Sequence, residues 1–233
     1  MQLFYLPDII EGSRQLSEEE SMHCVRVLRM KEKDMIKIVD GTGGFYTAEI
    51  VKADPKKCVF EITESTANFG KRNHHIHIAI APTKNSDRTE WFLEKAVELG
   101  VDEISFIKTE HSERKHINPE RFKKIAVSAM KQSVKAWLPV IHELTTLKEL
   151  MSHTNESQKF VAHLEAGEKK HLKDAAIPKG KYCILIGPEG DFSPSEIELA
   201  MKNKFIPVTL GPSRLRTETA GIAACHILNL INE

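Results

Sequence analysis

Two glycine-bearing loops carry the residues whose type and spacing best suit chemistry in this chain: Gly187-Pro188-Glu189-Gly190-Asp191-Phe192, and Leu210-Gly211-Pro212-Ser213-Arg214-Leu215-Arg216-Thr217-Glu218-Thr219-Ala220. Each loop leaves an apolar strand pattern and enters a helix. A strand that ends in a helix start aims unpaired backbone N–H groups into the crevice beyond the sheet, and glycine lets a ligand approach the main chain closely. The chemistry this suits is capture of a ligand by backbone groups. Other chemistries find less support. Neither loop has the G-x-G-x-x-G spacing of a dinucleotide site, and a Walker loop is absent. No G-x-S-x-G nucleophile elbow occurs, and Cys183 lies inside an apolar strand, where a thiol is inert. The run His74-His75-Ile76-His77 is dense in imidazole, and a strand places His75 and His77 on one face. With no acidic or cysteine partner nearby in sequence it reads as an exposed strand edge, and no metal is expected.

The loops need a frame to hold them. Tyr182 to Ile186 is a continuous apolar run of the kind found in parallel strands covered on both faces, and Ser193-Pro194-Ser195-Glu196 reads as a capping box with proline at the first helical position. Upstream, Ile76 to Ala81 is a strand, the helix opening at Asp87-Arg88-Thr89-Glu90 stops at Gly100, and Ile104 to Ile107 is the next strand. Further strands fall at Val140-Ile141, Phe160 to Leu164 and Phe205 to Leu210, with a helix after Asn118-Pro119 and a last helix from about Thr217 to Ile231. Residues 75–233 therefore read as one α/β domain with a mostly parallel sheet. Residues 1–70 look β-rich, with strands at Met35 to Val39, Phe45 to Val51 and Cys58 to Thr63. A helix capped at Ser17 and running to about Met30 interrupts them, with Met22, Val25 and Leu28 facing a core. Ser65 to Asn73 is the expected linker.

Composition narrows the class. Formal net charge is zero, which argues against a protein that coats nucleic acid by bulk electrostatics. Charge is nevertheless uneven: Lys108 to Lys135 holds eight Lys or Arg against three Glu, which is either a solvated helix face or a local polyanion site. The four cysteines show no C-x-x-C spacing and read as reduced core residues, so a cytoplasmic location is expected, and no stretch approaches the ~20 apolar residues of a membrane span.

Taken together, Gly187-Pro188-Glu189-Gly190 with Phe192 and Glu196, and Leu210-Gly211 with Leu215-Arg216-Thr217-Glu218-Thr219-Ala220, resemble the signature loops of the SPOUT, or α/β-knot, RNA methyltransferases. Within that superfamily the chain is similar to the bacterial 16S ribosomal RNA uridine N3-methyltransferases. Lys84 with Asp87-Arg88-Thr89-Glu90-Trp91, Lys95 to Val101, Gln132-Ser133 ahead of Pro139, and His23 to Arg29 with Gly41 extend the likeness over essentially the whole chain. Asp191 stands where that family usually has a second glycine, and Lys131 where it commonly has an acid.

The resemblance implies a small PUA-like β-barrel at the N-terminus, a C-terminal domain tied in a deep trefoil knot, and a homodimer. It implies S-adenosylmethionine as cofactor, held by Gly187, Pro188, Glu189, Gly190, Leu210, Gly211, Leu215, Thr217 and Ala220, with His163-Leu164-Glu165 as a further wall. The implied substrate is ribosomal RNA, naked or in the assembled small subunit. Arg216 is the candidate for stabilising negative charge on the uracil, with Glu218 or Glu189 as candidate proton acceptor. Lys84, Arg88, Arg114, Lys131, Arg26 and Arg29 are candidate phosphate contacts. Ribose 2'-O methylation, a catalytically idle RNA-binding factor and a small-molecule nucleotide enzyme stand as alternatives.

Overall fold

A computed structural model describes residues 2–165 and 167–233; Met1 and Ala166 lie outside the described residues. By its internal contacts the chain divides into two units, Met1–Lys71 with Val127–Leu138, and Arg72–Ala126 with Pro139–Glu233.

The first unit contains β1 (Leu3–Tyr5), a 3-10 turn at Pro7–Glu11, α1 (Glu18–Met22), β2 (Met35–Val39), β3 (Phe45–Lys52) and β4 (Val59–Thr66). They form a four-stranded sheet in the order β1-β2-β3-β4, with β1 parallel to β2 and the other pairs antiparallel. Among the described residues no ladder joins β1 to β4, and the outer edge of β4 carries an isolated antiparallel bridge between Gln15 and Val59. The Arg14–Leu16 segment flanks β4 instead, with the Leu16 N–H donating to the Cys58 carbonyl at 3.0 Å.

The expected helix from Ser17 to Met30 is shorter, and of its expected core face Val25 and Leu28 pack against the core while Met22 does not. Its α part ends at Met22 and passes into a π turn over His23–Val27, where the Leu28 N–H reaches the His23 carbonyl five residues back. Ser21 and Cys24 are buried while Met22 is 50% exposed, against the expected Met22 face. The Ser21 hydroxyl decides this. It donates to the Leu16 carbonyl at 3.2 Å and accepts from the Cys58 N–H at 3.0 Å, so the polar residue is drawn inward and satisfied there.

A linear boundary near residue 70 assigns 127–138 to the second domain, but its contacts group it with the first unit. The Gly43 N–H donates to the Ala136 carbonyl and the Leu138 N–H to the Gly41 carbonyl, both at 2.9 Å. Gly43 has φ +103°, and a Cβ there would lie 2.3 Å from the Trp137 ring, so only glycine lets that indole sit on the turn.

The second unit holds β5 (His75–Ile80), α2 (Ser86–Leu99), β6 (Glu103–Lys108), residues 119–126 of α3 (Pro119–Gln132), β7 (Val140–Thr146), α4 (Leu147–His153), β8 (Gln158–Ala162), β9 (Lys170–His171), α5 (Leu172–Ala175), β10 (Lys181–Ile186), α6 (Pro194–Lys202), β11 (Ile206–Thr209) and α7 (Thr217–Leu230). Its seven strands run in the order β7-β6-β5-β10-β8-β11-β9, and every neighbouring pair is parallel. The central strands are mostly apolar, His77 excepted, because helices cover the sheet: five of the six residues of β5 and of β10 are buried. Local chemistry sets the helix ends. The Asn85 side chain accepts from the Asp87 N–H to start α2, and Gly100 in the left-handed region, φ +95°, ends it. Ser193 and Glu196 form the expected capping box on α6. All four cysteines are buried and unbridged, and among the described residues no helix is long and apolar enough to cross a membrane.

Candidate active site

A cavity of about 330 Å³ opens beyond the carboxyl ends of β8, β10 and β11, which are neighbours in the sheet. That is where open parallel sheets bind ligands, because successive loops and helix N-termini converge there. The β8 end supplies Ala162, His163 and Leu164, the β10 end Ile186 to Glu189 and Asp191, and the β11 end Val208 to Gly211. The last wall runs from Ser213 to Thr217 and includes Ala220 in the first turn of α7.

Side-chain bonds hold these distant segments together. Thr217 Oγ1 donates to the Gly187 carbonyl at 3.0 Å, fixing the start of α7 to the β10 loop. The Leu164 N–H donates to Asp191 Oδ2 at 2.7 Å, fixing the β8 end to the same loop. Asp191 adopts φ +62°, a conformation that favours glycine, and its Oδ1 accepts from the Phe192 N–H at 2.8 Å. Gly187 is closed in by the Phe192 ring, 3.1 Å from where a Cβ would stand.

Of the residues expected to hold the cofactor, Leu164, Gly187, Pro188, Glu189, Leu210, Gly211, Leu215, Thr217 and Ala220 line this cavity, and Gly190 does not. A Cβ at Gly190 would meet the His111 side chain at 3.1 Å, so that glycine makes room for His111, whose Nδ1 donates to the Asp191 carbonyl at 2.9 Å. That hydrogen bond raises the His111 pKa. Ser213, Arg214, Val208 and Thr209 line the cavity without having been singled out by type. Their signal was position, since they lie within or beside the second loop.

The three candidate catalytic residues separate. Arg216 is exposed, lines the cavity and occupies the N-cap position of α7 without capping it; among the described residues its guanidinium has no hydrogen-bond or ion-pair partner. Glu189 is at the cavity rim and accepts from the Lys84 N–H at 3.0 Å. Glu218 points elsewhere. It is 6% exposed, does not line the cavity, lies 3.8 Å from the Arg88 Nε, and leaves its Oε2 without a partner.

His163 is the polar group that type alone undersold. Both its ring nitrogens are buried and unpaired, and burial lowers its pKa, with Lys169 adding to the effect. A buried imidazole with two open hydrogen-bond sites facing a cavity is an arrangement a polar ligand would complete.

The candidate RNA contacts fall in both units. In the first, Arg26 and Arg29 are exposed and unpaired among the described residues, whereas Lys131 donates to Glu20 at 2.5 Å. In the second, Lys84 pairs with Glu113 at 2.7 Å, and Arg114 donates to the Thr83 and Lys84 carbonyls at 2.9 and 2.7 Å. Arg114 thus shapes the Lys84 loop.

Comparison with known proteins fits this geometry. Residues 71–229 match the family described as an RNA methyltransferase domain. The chain belongs to that RNA methyltransferase family. Residues 16–63 of the methyltransferase match the accompanying RNA methyltransferase PUA domain. The enzyme is 29% identical to the "Ribosomal RNA small subunit methyltransferase E" of Buchnera aphidicola, over 91% of this chain and 86% of the relative. Its fold matches a "probable rRNA-methyltransferase" from Porphyromonas gingivalis with TM-score 0.93 and 45% identity, covering 99% of both chains. It also matches a ribosomal RNA small subunit methyltransferase E from Neisseria gonorrhoeae, bound to S-adenosyl methionine, with TM-score 0.83 and 26% identity over 100% of this chain and 98% of the other.

Proposed function

We propose that the methyltransferase transfers a methyl group from S-adenosylmethionine to N3 of one uridine in 16S ribosomal RNA. The observation that carries this reading is the cavity at the ends of β8, β10 and β11, with Arg216 at its edge and unpaired among the described residues. The residues present fit the cofactor. The cavity falls in the size range of small-molecule sites, its apolar walls from Ile186, Val208, Leu210, Leu215 and Ala220 suit adenine, and the free nitrogens of His163 suit polar atoms. The start of α7 has no side-chain cap, so its first N–H groups remain available.

When bound, the cofactor supplies an electrophilic methyl on a sulfonium sulfur. Uracil N3 becomes nucleophilic as its proton leaves, and negative charge then spreads to O2 and O4. Arg216 would hold that charge with its planar cationic fork beside a helix N-terminus. Glu189, whose carboxylate stands at the cavity rim, would take the N3 proton, while Glu218 would hold Arg88. The bonds from Thr217 to Gly187 and from Leu164 to Asp191 keep the walls in register, which supports in-line alignment of the reacting atoms. Arg26 and Arg29 would contact phosphates. The reading includes a trefoil-knotted second unit and a homodimer, the latter tested by light scattering.

The deciding experiment is nucleoside mass spectrometry of small-subunit RNA incubated with enzyme and labelled S-adenosylmethionine. Wild type should yield one equivalent of 3-methyluridine. Arg216→Ala should lower kcat about 100-fold or more while cofactor affinity changes little. Label on a ribose, or an unaltered kcat in the variant, would remove the proposal.

A further inference from the structure

Away from that cavity, three strands bring together what the histidine run lacked in sequence. His77 on β5 pairs in register with Cys183 on β10 on one side and with Glu103 on β6 on the other, so all three side chains point to one face of the sheet. β5 is a central strand and His77 is 3% exposed, which overturns the expectation of an exposed edge. Glu156, two residues before β8, completes the group: its Oε1 lies 2.5 Å from His77 Nδ1. A nitrogen of His77, a carboxylate oxygen of Glu156 and Cys183 Sγ all lie within 4.8 Å of one another.

We propose that His77 Nδ1, the Glu156 carboxylate and the Cys183 thiolate form a buried zinc site, with Glu103 as the fourth donor. Ligand type supports a borderline-soft ion over magnesium or calcium, since imidazole and thiolate are poor partners for hard cations. Charge is compatible as well. The Cys183 thiolate and the Glu156 carboxylate neutralise a dication, the Glu103 carboxylate adds one negative charge beside the donors His75 and His142, and binding releases the Cys183 proton to solvent. The outer contacts suit ligation: His77 Nε2 lies 2.8 Å from Ser105 Oγ, and once Nε2 carries the proton and donates it there, Nδ1 has a free lone pair. Glu103 Oε1 stands 3.8 Å from that Nδ1, while His75 at 3.1 Å and His142 at 2.7 Å hold its carboxylate. Lys159, in register with Cys183, shares that face and carries its ammonium 5.1 Å from the centre of the Phe205 ring. Bond lengths of roughly 2.0–2.3 Å place tetrahedral ligand atoms about 3.5 Å apart, so closing the site needs shifts on the order of 1 Å. The cluster is three residues along β10 from Ile186, about 10 Å from the cavity wall, and would act as a staple across the central strands.

Cobalt(II) titration of the full-length, reduced protein tests this. The expected result is one equivalent bound with a near-ultraviolet thiolate-to-cobalt band, displaced by one equivalent of zinc. Cys183→Ala should lose the band, Glu156→Gln should bind cobalt at least about 10-fold more weakly, and Lys173→Ala should behave as wild type. Absence of the band in wild type overturns the proposal without relying on any variant, and so does a band that survives Cys183→Ala.

Discussion

Asp191 shows how one side chain can serve backbone and site together. Its φ of +62° favours glycine, yet its two carboxylate oxygens hold the Phe192 and Leu164 N–H groups, which glycine could not do. Asp191→Ala should therefore cost about 2–3 kcal/mol in urea unfolding, since alanine loses both bonds and keeps the strained φ. Asp191→Gly should cost about 1 kcal/mol less, and equal losses would show that backbone strain plays no part. His163 gives a pH signature. Burial lowers its folded pKa below the ordinary 6.5, so the unfolded chain binds more protons and stability falls as pH drops from that value toward the folded pKa. Thermal midpoints at pH 7.5 and 5.5 should differ less in His163→Phe than in wild type. The candidate site was largely legible because Gly187 and Leu210 to Ala220 form contiguous loops with recognisable chemistry. Gly190, Glu218 and His77 face something other than expected for one shared reason: what meets a side chain depends on segments far away in sequence, here His111 after β6, Arg88 on α2 and Cys183 on β10.

At the level of elements, α7 shows what its small residues do. Ala220, Ala223, Ala224, Ile227, Leu228 and Ile231 recur at helical spacing as an apolar stripe, yet the buried face beyond the first turn is Gly221, Ala224, Cys225 and Leu228. Gly221 lies against α2 and β5, where a Cβ would stand 2.5 Å from the Phe92 ring and 3.0 Å from Ile80 Cδ1. Gly221→Ala gains about 1 kcal/mol of helix propensity but overpacks a ring that has no exposed side, at a cost of about 1–3 kcal/mol. Net destabilisation in chemical denaturation is expected, and a stabilised variant would mean that Phe92 yields. The capping boxes divide by visibility. Ser193 with Glu196 was legible because proline marked the first turn, whereas Thr146 with Glu149, which caps α4, sits at the end of β7 and was hidden by that strand's exposed, weakly apolar pattern.

For the molecule as a whole, every residue lining the cavity belongs to the second unit. Saturation with S-adenosylmethionine at 100 times its Kd should stabilise the protein by about 2.7 kcal/mol, and hydrogen exchange should slow at the ends of β8, β10 and β11. Protection centred on residues 2–71 would place the ligand elsewhere. The two-unit plan was readable from the change in alternation after residue 70, but the return of 127–138 to the first unit was not, since its ties are main-chain bonds to Gly41 and Gly43 and side-chain bonds from Lys131 to Glu20 and from Trp137 to Phe69, pairings between residues far apart in sequence that no local pattern announces. The strand order has a further effect, on biosynthesis. β10 stands between β5 and β8, so the nascent chain holds an unpartnered β5 border until residue 186 has emerged from the translating ribosome. The sheet can close only near the end of synthesis, and slow refolding with clumping at high concentration should follow whenever the full-length chain is diluted from denaturant.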